Sequence, residues 1–78
     1  MNSNEIKDLL ADPFKECDVE VEGEEGHYKV TIVGDVFEGL TKVKRQQMVY
    51  GHLNEKIKSG EIHAVMMTTL TPAEKGAT

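Results

Sequence analysis

The fold is decided by residues 18–33, which read DVEVEGEEGHYKVTIV. Charged and apolar residues alternate over 18–22, and polar and apolar residues alternate again over 27–33. Alternation with a period of two is typical of a strand with one buried face. The four residues between these runs, 23–26, include two glycines, and such a loop between alternating runs predicts a β-hairpin. The side of the second strand expected to face the core carries Tyr28, Val30 and Ile32.

A short helix is predicted ahead of the hairpin, over residues 4–10. Asn2 or Ser3 can cap its N-terminus through a side-chain oxygen. Pro13 ends it, because proline cannot continue the helical hydrogen-bond ladder. The apolar residues at the i, i+3, i+4 spacing of a buried stripe are Ile6, Leu9 and Leu10.

A second, longer helix is predicted at about 42–58. Thr41 can cap its start, and Gly60 suits the left-handed conformation that ends many helices. In the connector before it, Phe37 and Leu40 are expected to anchor the core. The apolar side of this helix is expected to carry Val43, Val49, Tyr50, Leu53 and Ile57.

A third strand is predicted over residues 61–70, which are nearly all apolar or threonine. Apolar residues fall on both faces of this run, so burial on both sides is expected over part of its length. The sequence at 71–74, Thr-Pro-Ala-Glu, has the capping residue, proline and glutamate of a helix start. Four residues follow it, so only a stub of helix is expected.

The resulting order, α-β-β-α-β with a stub of helix, places the chain in the α+β class. We expect one domain over residues 1–78, built as two layers. A three-stranded mixed sheet would form one layer, and helices near 4–10 and 42–58 would cover one of its faces. A chain of this size buries only about 60% of its unfolded surface, which leaves no room for a deep cavity with a lid. This argues against a conventional enzyme.

The composition excludes several kinds of site. Cys17 is the single cysteine, so neither an internal disulfide nor a multi-cysteine metal cage is expected. No apolar run approaches the roughly 20 residues needed to cross a bilayer. Residues 2–5 lack the basic and apolar regions of a signal peptide. We therefore expect a soluble, cytoplasmic protein with no membrane contact.

The charge of −5 is unevenly distributed along the chain. Residues 1–38 carry eleven acids and three bases, a net −8, whereas residues 39–78 carry three acids and six bases, a net +3. The overall sign opposes general binding to nucleic-acid phosphates, and the local basic excess leaves a weak DNA contact open.

Five segments, in this order and at these separations, resemble one known family. They are GHYKV at 26–30, FEGL at 37–40, VKRQQMVY at 43–50, IHAV at 62–65 and TPAE at 71–74. The ordered set resembles a BolA-family protein, and it is most similar to the branch with a short first hairpin. The resemblance implies a fold like that of a class II KH domain. It also implies an adaptor that shares a [2Fe–2S] cluster with a monothiol glutaredoxin, in iron–sulfur cluster trafficking or iron sensing.

Two histidines are the candidate metal ligands. In BolA-like proteins the histidine of the Ile-His-Ala segment ligates the shared cluster, so the resemblance implies this role for His63. The family takes a second ligand, His or Cys, from the first hairpin loop, where this chain has Glu24. His27 is the nearest histidine and the favoured second ligand. A Glu24 carboxylate, a cluster held in another way and the Cys17 thiolate stay open, and from the residues alone either histidine also fits an ordinary packing role.

The start of the second helix is the candidate nucleic-acid contact. Its polar residues are Lys42, Lys44, Arg45, Gln46 and Gln47. Arginine and glutamine read base edges in a major groove, and the resemblance also implies transcriptional regulation and stress responses. A DNA-binding regulator is therefore the alternative hypothesis, and weak RNA binding of the KH kind is a third. A solvated helix end with no ligand is the structural alternative. The net charge favours the cluster-sharing adaptor, which on its own would hold no cluster and be a monomer or weak homodimer.

Overall fold

Three α-helices and three β-strands make up residues 2–76, the part of the chain that the computed structural model describes. The helices are α1 (Ser3–Ala11), α2 (Lys42–Lys58) and α3 (Pro72–Gly76). The strands are β1 (Asp18–Glu24), β2 (His27–Val33) and β3 (Ala64–Leu70), and one turn of 3-10 helix lies at Asp35–Phe37. The predicted α+β class and element order are confirmed.

The hairpin is tighter than predicted. β1 and β2 pair antiparallel as far as Glu24 opposite His27, which leaves a turn of two residues, Glu25 and Gly26. Both have positive φ, 54° and 83°. Two-residue turns with positive φ at both positions match the right-handed twist of the flanking strands. β1 therefore extends through Gly23 and Glu24 into the segment that the sequence suggested was a four-residue loop.

The sheet is mixed, as predicted, with the order β1-β2-β3. β2 pairs antiparallel with β1 and parallel with β3, from His27 opposite Ala64 to Val33 opposite Leu70. α2 connects the two parallel strands. β3 lies at an edge, and the expectation that it is buried on both sides is wrong. Met66 is 70% exposed, because the helices pack on the other face of the sheet.

The core lies between the sheet and the two longer helices. Ile6 and Leu10 of α1, Val49 and Leu53 of α2, and Phe37 from the 3-10 turn are fully buried. The remaining members of the core cluster are Phe14, Tyr28, Val30, Ile32 and Ile62. The predicted core side of β2 is confirmed, and so is the Phe37 anchor, whereas Leu40 is half-buried.

The orientation of α2 differs from the prediction. Its buried residues are Arg45, Val49 and Leu53, each four apart. Val43 is 64% exposed and Tyr50 42% exposed, so these two residues, predicted on the apolar side of the helix, lie on a partly exposed side instead. A similar correction applies to α1, where Leu9 is 37% exposed.

The predicted helix ends are confirmed. Asn2 forms a capping box with Glu5, in which each side chain accepts the other residue's backbone N–H. Thr41 caps α2 by accepting the N–H of Lys44 at 3.3 Å, and Gly60 has φ 86°. Across residues 2–76, no helix combines the length and apolarity required to span a bilayer.

Candidate functional site

His27 and His63 lie side by side at one end of the sheet. Their ring centroids are 6.2 Å apart, and the ring planes differ by 24°. Both residues are exposed. The parallel register brings them together, because it sets His27 opposite Ala64, the first residue of β3. The structure therefore places the two predicted ligands on one accessible surface, although they are 36 positions apart in the sequence.

Gly26 supports this arrangement, although the sequence analysis gave it a role only in the hairpin loop and not at the histidine pair. Its carbonyl oxygen accepts the N–H of His63 at 2.8 Å and the N–H of Ala64 at 2.9 Å. A Cβ at Gly26 would overlap the His63 imidazole ring, and its φ of +83° is a conformation that other residues rarely adopt. The glycine thus lets the hairpin turn lie directly against His63. The sequence signal was a glycine immediately before the His-Tyr pair.

The surface around the pair combines acidic, basic and apolar groups. A shallow, open depression beside His27 is lined by Glu22, Gly23, His27, Tyr28, Lys29, Ala64 and Met66. Glu24 lies opposite His27 in the hairpin register, so it is at the same end of the sheet as the histidine pair. It is also exposed. Among the residues described, no group of three or more His, Cys, Asp or Glu side chains is arranged to hold a metal ion.

Cys17 lies far from the histidines. It precedes the opposite end of β1, so roughly 20 Å of strand separates it from the turn. The thiol is half-buried against Gly34. Burial raises its pKa, and the neighbouring acids Glu16, Asp18 and Asp35 raise it further. The structure therefore favours the neutral thiol over the thiolate and does not bring it to the candidate site.

His52 is exposed, as expected, on α2. Its ring contacts Phe14 edge-on, with centroids 5.5 Å apart. This contact gives His52 a packing role away from the His27–His63 pair.

The polar residues at the start of α2 differ in their exposure to solvent. Lys42, Lys44, Gln46 and Gln47 are exposed, but Arg45 is only 6% exposed. The Arg45 Nε donates to the Leu40 carbonyl at 3.0 Å, and its Nη1 lies 2.6 Å from a carboxylate oxygen of Glu74 and 3.3 Å from the Thr69 carbonyl. The expectation that Arg45 lies at the surface with the lysines is wrong. Its guanidinium joins α2 to the end of β3 and to α3.

Glu74 is the partner that the sequence did not reveal for Arg45. The sequence predicted only its capping role, which is confirmed: it accepts the Thr71 N–H at 2.8 Å, and the Thr71 hydroxyl accepts the Glu74 N–H at 3.1 Å. The hydrogen bond from Arg45 holds the pKa of Glu74 below its ordinary value, and the Thr71 N–H lowers it further. The short helix α3 is therefore held by a charge pair as well as by its cap.

The chain is a two-layer α+β domain with a three-stranded mixed sheet, and it carries a pair of exposed histidines at one end of that sheet. The BolA-like protein family model matches residues 5–74, and the chain belongs to that family. The acid stress protein IbaG of Escherichia coli strain K12 is 43% identical over 74 residues, which cover 95% of this chain and 88% of that protein.

Solved structures agree with this assignment. A bolA protein homologue from Coxiella burnetii superposes with a TM-score of 0.82 at 30% identity, over 97% of each chain. The BolA domain of SufE1 from Arabidopsis thaliana gives a TM-score of 0.81 at 32% identity, over 92% of this chain and 93% of that one. The resemblance found in the sequence is confirmed at the level of family and fold.

Proposed function

We propose that this protein is an adaptor that shares a [2Fe–2S] cluster with a monothiol glutaredoxin, in the trafficking of clusters or the sensing of iron. The observation that carries the proposal is the pairing of His27 and His63, two exposed imidazoles with centroids 6.2 Å apart. Family membership supports it, because the BolA resemblance implies a ligand role for the histidine at position 63.

The donor set fits a shared site better than a site of this chain alone. Iron–sulfur clusters of this kind are held by four side-chain ligands, and histidine can replace cysteine on one iron. His27 and His63 supply two nitrogen donors, and Cys17 is too distant to join them. The remaining ligands would have to come from another chain. Exposure of both rings leaves room for that chain to approach.

Histidine ligands would give the bound cluster two properties. Imidazole in place of thiolate raises the reduction potential of a cluster. Imidazole nitrogen also binds iron only when deprotonated, so occupancy would fall as the medium becomes acidic. The name of the E. coli relative, an acid stress protein, supports a role in stress response as part of the same proposal.

The test is a titration of the protein into a cluster-loaded monothiol glutaredoxin, followed by visible absorption and circular dichroism. Wild type should change the spectrum of the glutaredoxin, because imidazole replaces one pair of ligands. His63→Ala should abolish the change, and His27→Ala should weaken it. His52→Ala is the matched control, since it removes an exposed histidine that lies on α2. An unchanged spectrum with wild type, or a change that survives His63→Ala, would contradict the proposal.

The second ligand is tested separately. If His27→Ala leaves the spectral change intact while Glu24→Gln removes it, the Glu24 carboxylate is the second ligand. Both substitutions lie at exposed positions of the same hairpin end, so their effects on stability should be small and comparable.

DNA binding through α2 is the second candidate function. The observation that favours it is the exposure of Lys42, Lys44, Gln46 and Gln47 on the first turns of the helix. Arg45 is left out of this surface, because its guanidinium is engaged inside the protein. The remaining charge supports weak, salt-sensitive binding at most.

A further inference from the structure

Met66 is an exposed methionine beside the histidine pair. Its side chain is 70% exposed, and together with His27 it lines the shallow depression at this end of the sheet. A single apolar side chain at the surface needs no explanation by itself. A methionine in the same depression as an imidazole is a different case, because its thioether sulfur can bind a metal ion. The surface around the pair therefore contains a donor that the proposed cluster does not use.

The register of the strands places Met66 on the same face of the sheet as His27. Successive side chains of a strand point to opposite faces. Tyr28 is buried on the inner face, so His27 and Lys29 lie on the outer one. Ala64 pairs with His27 and Met66 pairs with Lys29, so both residues of β3 share that outer face. Ala64 fills little of the depression, and the three rotatable bonds of a methionine side chain let it adapt to the space.

The separation of the two imidazoles suits one shared ion. Their ring centroids are 6.2 Å apart. A bond from an imidazole nitrogen to a metal is about 2.0–2.1 Å long, so two rings on one ion have centroids about 5–6.5 Å apart. His63 is held in place by Gly26, whose carbonyl accepts its N–H at 2.8 Å. His27 belongs to both arrangements, since it lies beside His63 and shares the depression with Met66.

We propose that His27, His63 and Met66 bind one Cu(I) ion when the chain is on its own. Soft thioether sulfur selects Cu(I), and imidazole also suits copper. All three donors are uncharged and leave the charge of the ion uncompensated, which costs less for a monovalent ion than for a divalent one. Thioether sulfur is also not among the usual ligands of Zn²⁺. The set of donors therefore fits Cu(I) better than Zn²⁺.

The charges around the three donors favour a cation. Glu22, Glu24 and Glu25 are exposed at the hairpin end, and Lys29 lines the depression. Glu22 lies opposite Lys29 in the register of β1 and β2, so its carboxylate offsets the repulsion that the ammonium group exerts on a cation. The excess of acids at this end of the sheet attracts a positive ion and repels an anionic ligand.

Copper and the proposed cluster would compete, because both use the imidazoles of His27 and His63. This consequence rests on the proposed function, whereas the copper site itself does not. Met66→Leu should leave the spectral change with cluster-loaded glutaredoxin intact, because that change requires the imidazoles only. If wild type binds Cu(I) at these residues but gives no spectral change with glutaredoxin, the cluster proposal fails and the copper site stands.

Anaerobic titration with Cu(I) in competition with a chromophoric Cu(I) chelator, with ascorbate present, tests the site. Met66→Leu keeps the side-chain volume and removes the sulfur. It should weaken binding about tenfold or more, at least the loss that changes outside the first ligand shell cause. Met67→Leu is the matched control: Met67 is the next residue of β3 but packs against the core, so the affinity should not change. The affinity for Zn²⁺ should be equal in wild type and Met66→Leu.

Cys17 is the competing soft ligand, and NMR distinguishes the two positions. On addition of Cu(I) to wild type, the Met66 methyl signal and the ring signals of His27 and His63 should shift together, while the Met67 methyl signal stays. Cys17→Ser should still bind one ion and show the same shifts. Copper binding that Cys17→Ser removes, or that Met66→Leu and Met67→Leu weaken equally, overturns the proposal.

Discussion

At the scale of single residues, the candidate site depends on the absence of a side chain at Gly26. The turn can lie against His63 only because no Cβ stands between them, and the same residue's carbonyl binds the N–H groups of His63 and Ala64. The position of the His63 ring is thus determined by the hairpin turn. In the proposed complex, a ligand at His63 would be preorganised by these main-chain bonds.

Gly26→Ala should therefore lower stability and disturb the site together. We expect a loss of about 1–3 kcal/mol, since a positive φ and an overlap with the His63 ring both oppose the added methyl group. Gly39→Ala is the control, because Gly39 has a similar φ of +78° but no atom within 4 Å of the added Cβ. Urea denaturation measures both. If only Gly26→Ala weakens the spectral change with glutaredoxin, the contact with His63 matters for the site. Equal losses of stability and of the spectral change in both variants would contradict this role of Gly26.

Arg45 provides a second prediction at this scale. Arg45→Ala should lower the free energy of unfolding by about 1–3 kcal/mol, because it leaves the Leu40 and Thr69 carbonyls without their donor. Lys44→Ala, one residue away and exposed, should change it by no more than about 0.5 kcal/mol. Thermal or urea unfolding distinguishes the two, and equal effects would show that the buried contacts contribute nothing.

At the scale of elements, α3 is a five-residue helix that depends on a charge. A helix this short has little stability of its own. Its cap at Thr71 and the bond from Arg45 both use the Glu74 carboxylate. Protonation of that one group weakens both contacts, so the attachment of α3 is sensitive to acid.

The sign of this pH dependence follows from the direction of the shift. The pKa of Glu74 is lowered in the folded protein, first by the Arg45 hydrogen bond. Its contribution to stability is therefore complete above the ordinary glutamate pKa of about 4.3 and is lost as the pH falls through the lower folded value. The Thr71 amide proton, followed by NMR from pH 7 to 2, should report this loss. Glu74→Gln should remove the transition, whereas Glu55→Gln should keep it; a transition that persists in Glu74→Gln would contradict the assignment.

At the scale of the whole molecule, charge and shape divide the surface into regions of different character. The acidic β1 edge, the exposed histidine pair and the basic start of α2 are separate parts of one small domain. The net charge of −5 acts on all of them and opposes any polyanion. DNA binding, if used, therefore rests on few phosphate contacts.

The double variant Lys42→Ala/Lys44→Ala tests that contact. Loss of two phosphate contacts should lower the slope of log K against log salt by about 1.8. Lys58→Ala, at the other end of α2, is the control and should leave the slope unchanged. Fluorescence anisotropy with a short duplex at several salt concentrations measures the slope. Tight binding that survives the double variant would place the DNA contact elsewhere.

The sequence by itself determined the elements and the family. The hairpin, both longer helices and their caps are local: alternation over 18–33, the Asn2 and Thr41 caps and Gly60 act within a few residues. The class of fold followed from their order, and the ordered segments were enough to indicate the family. His63 and His27 could be singled out because they lie in two of those segments.

Only the tertiary structure decided which side chains are covered and which meet. Helix α2 turns Arg45, Val49 and Leu53 toward the core. The side that carries Val43 and Tyr50 is therefore partly exposed. β3 is exposed on one face because the two longer helices pack on the other face of the sheet, which composition does not reveal. The contact of His27 with His63 depends on the parallel register between strands that α2 separates in the chain. The register between β2 and β3 and the buried side of α2 are set by packing between segments that are distant in the sequence, and the local pattern did not reveal them.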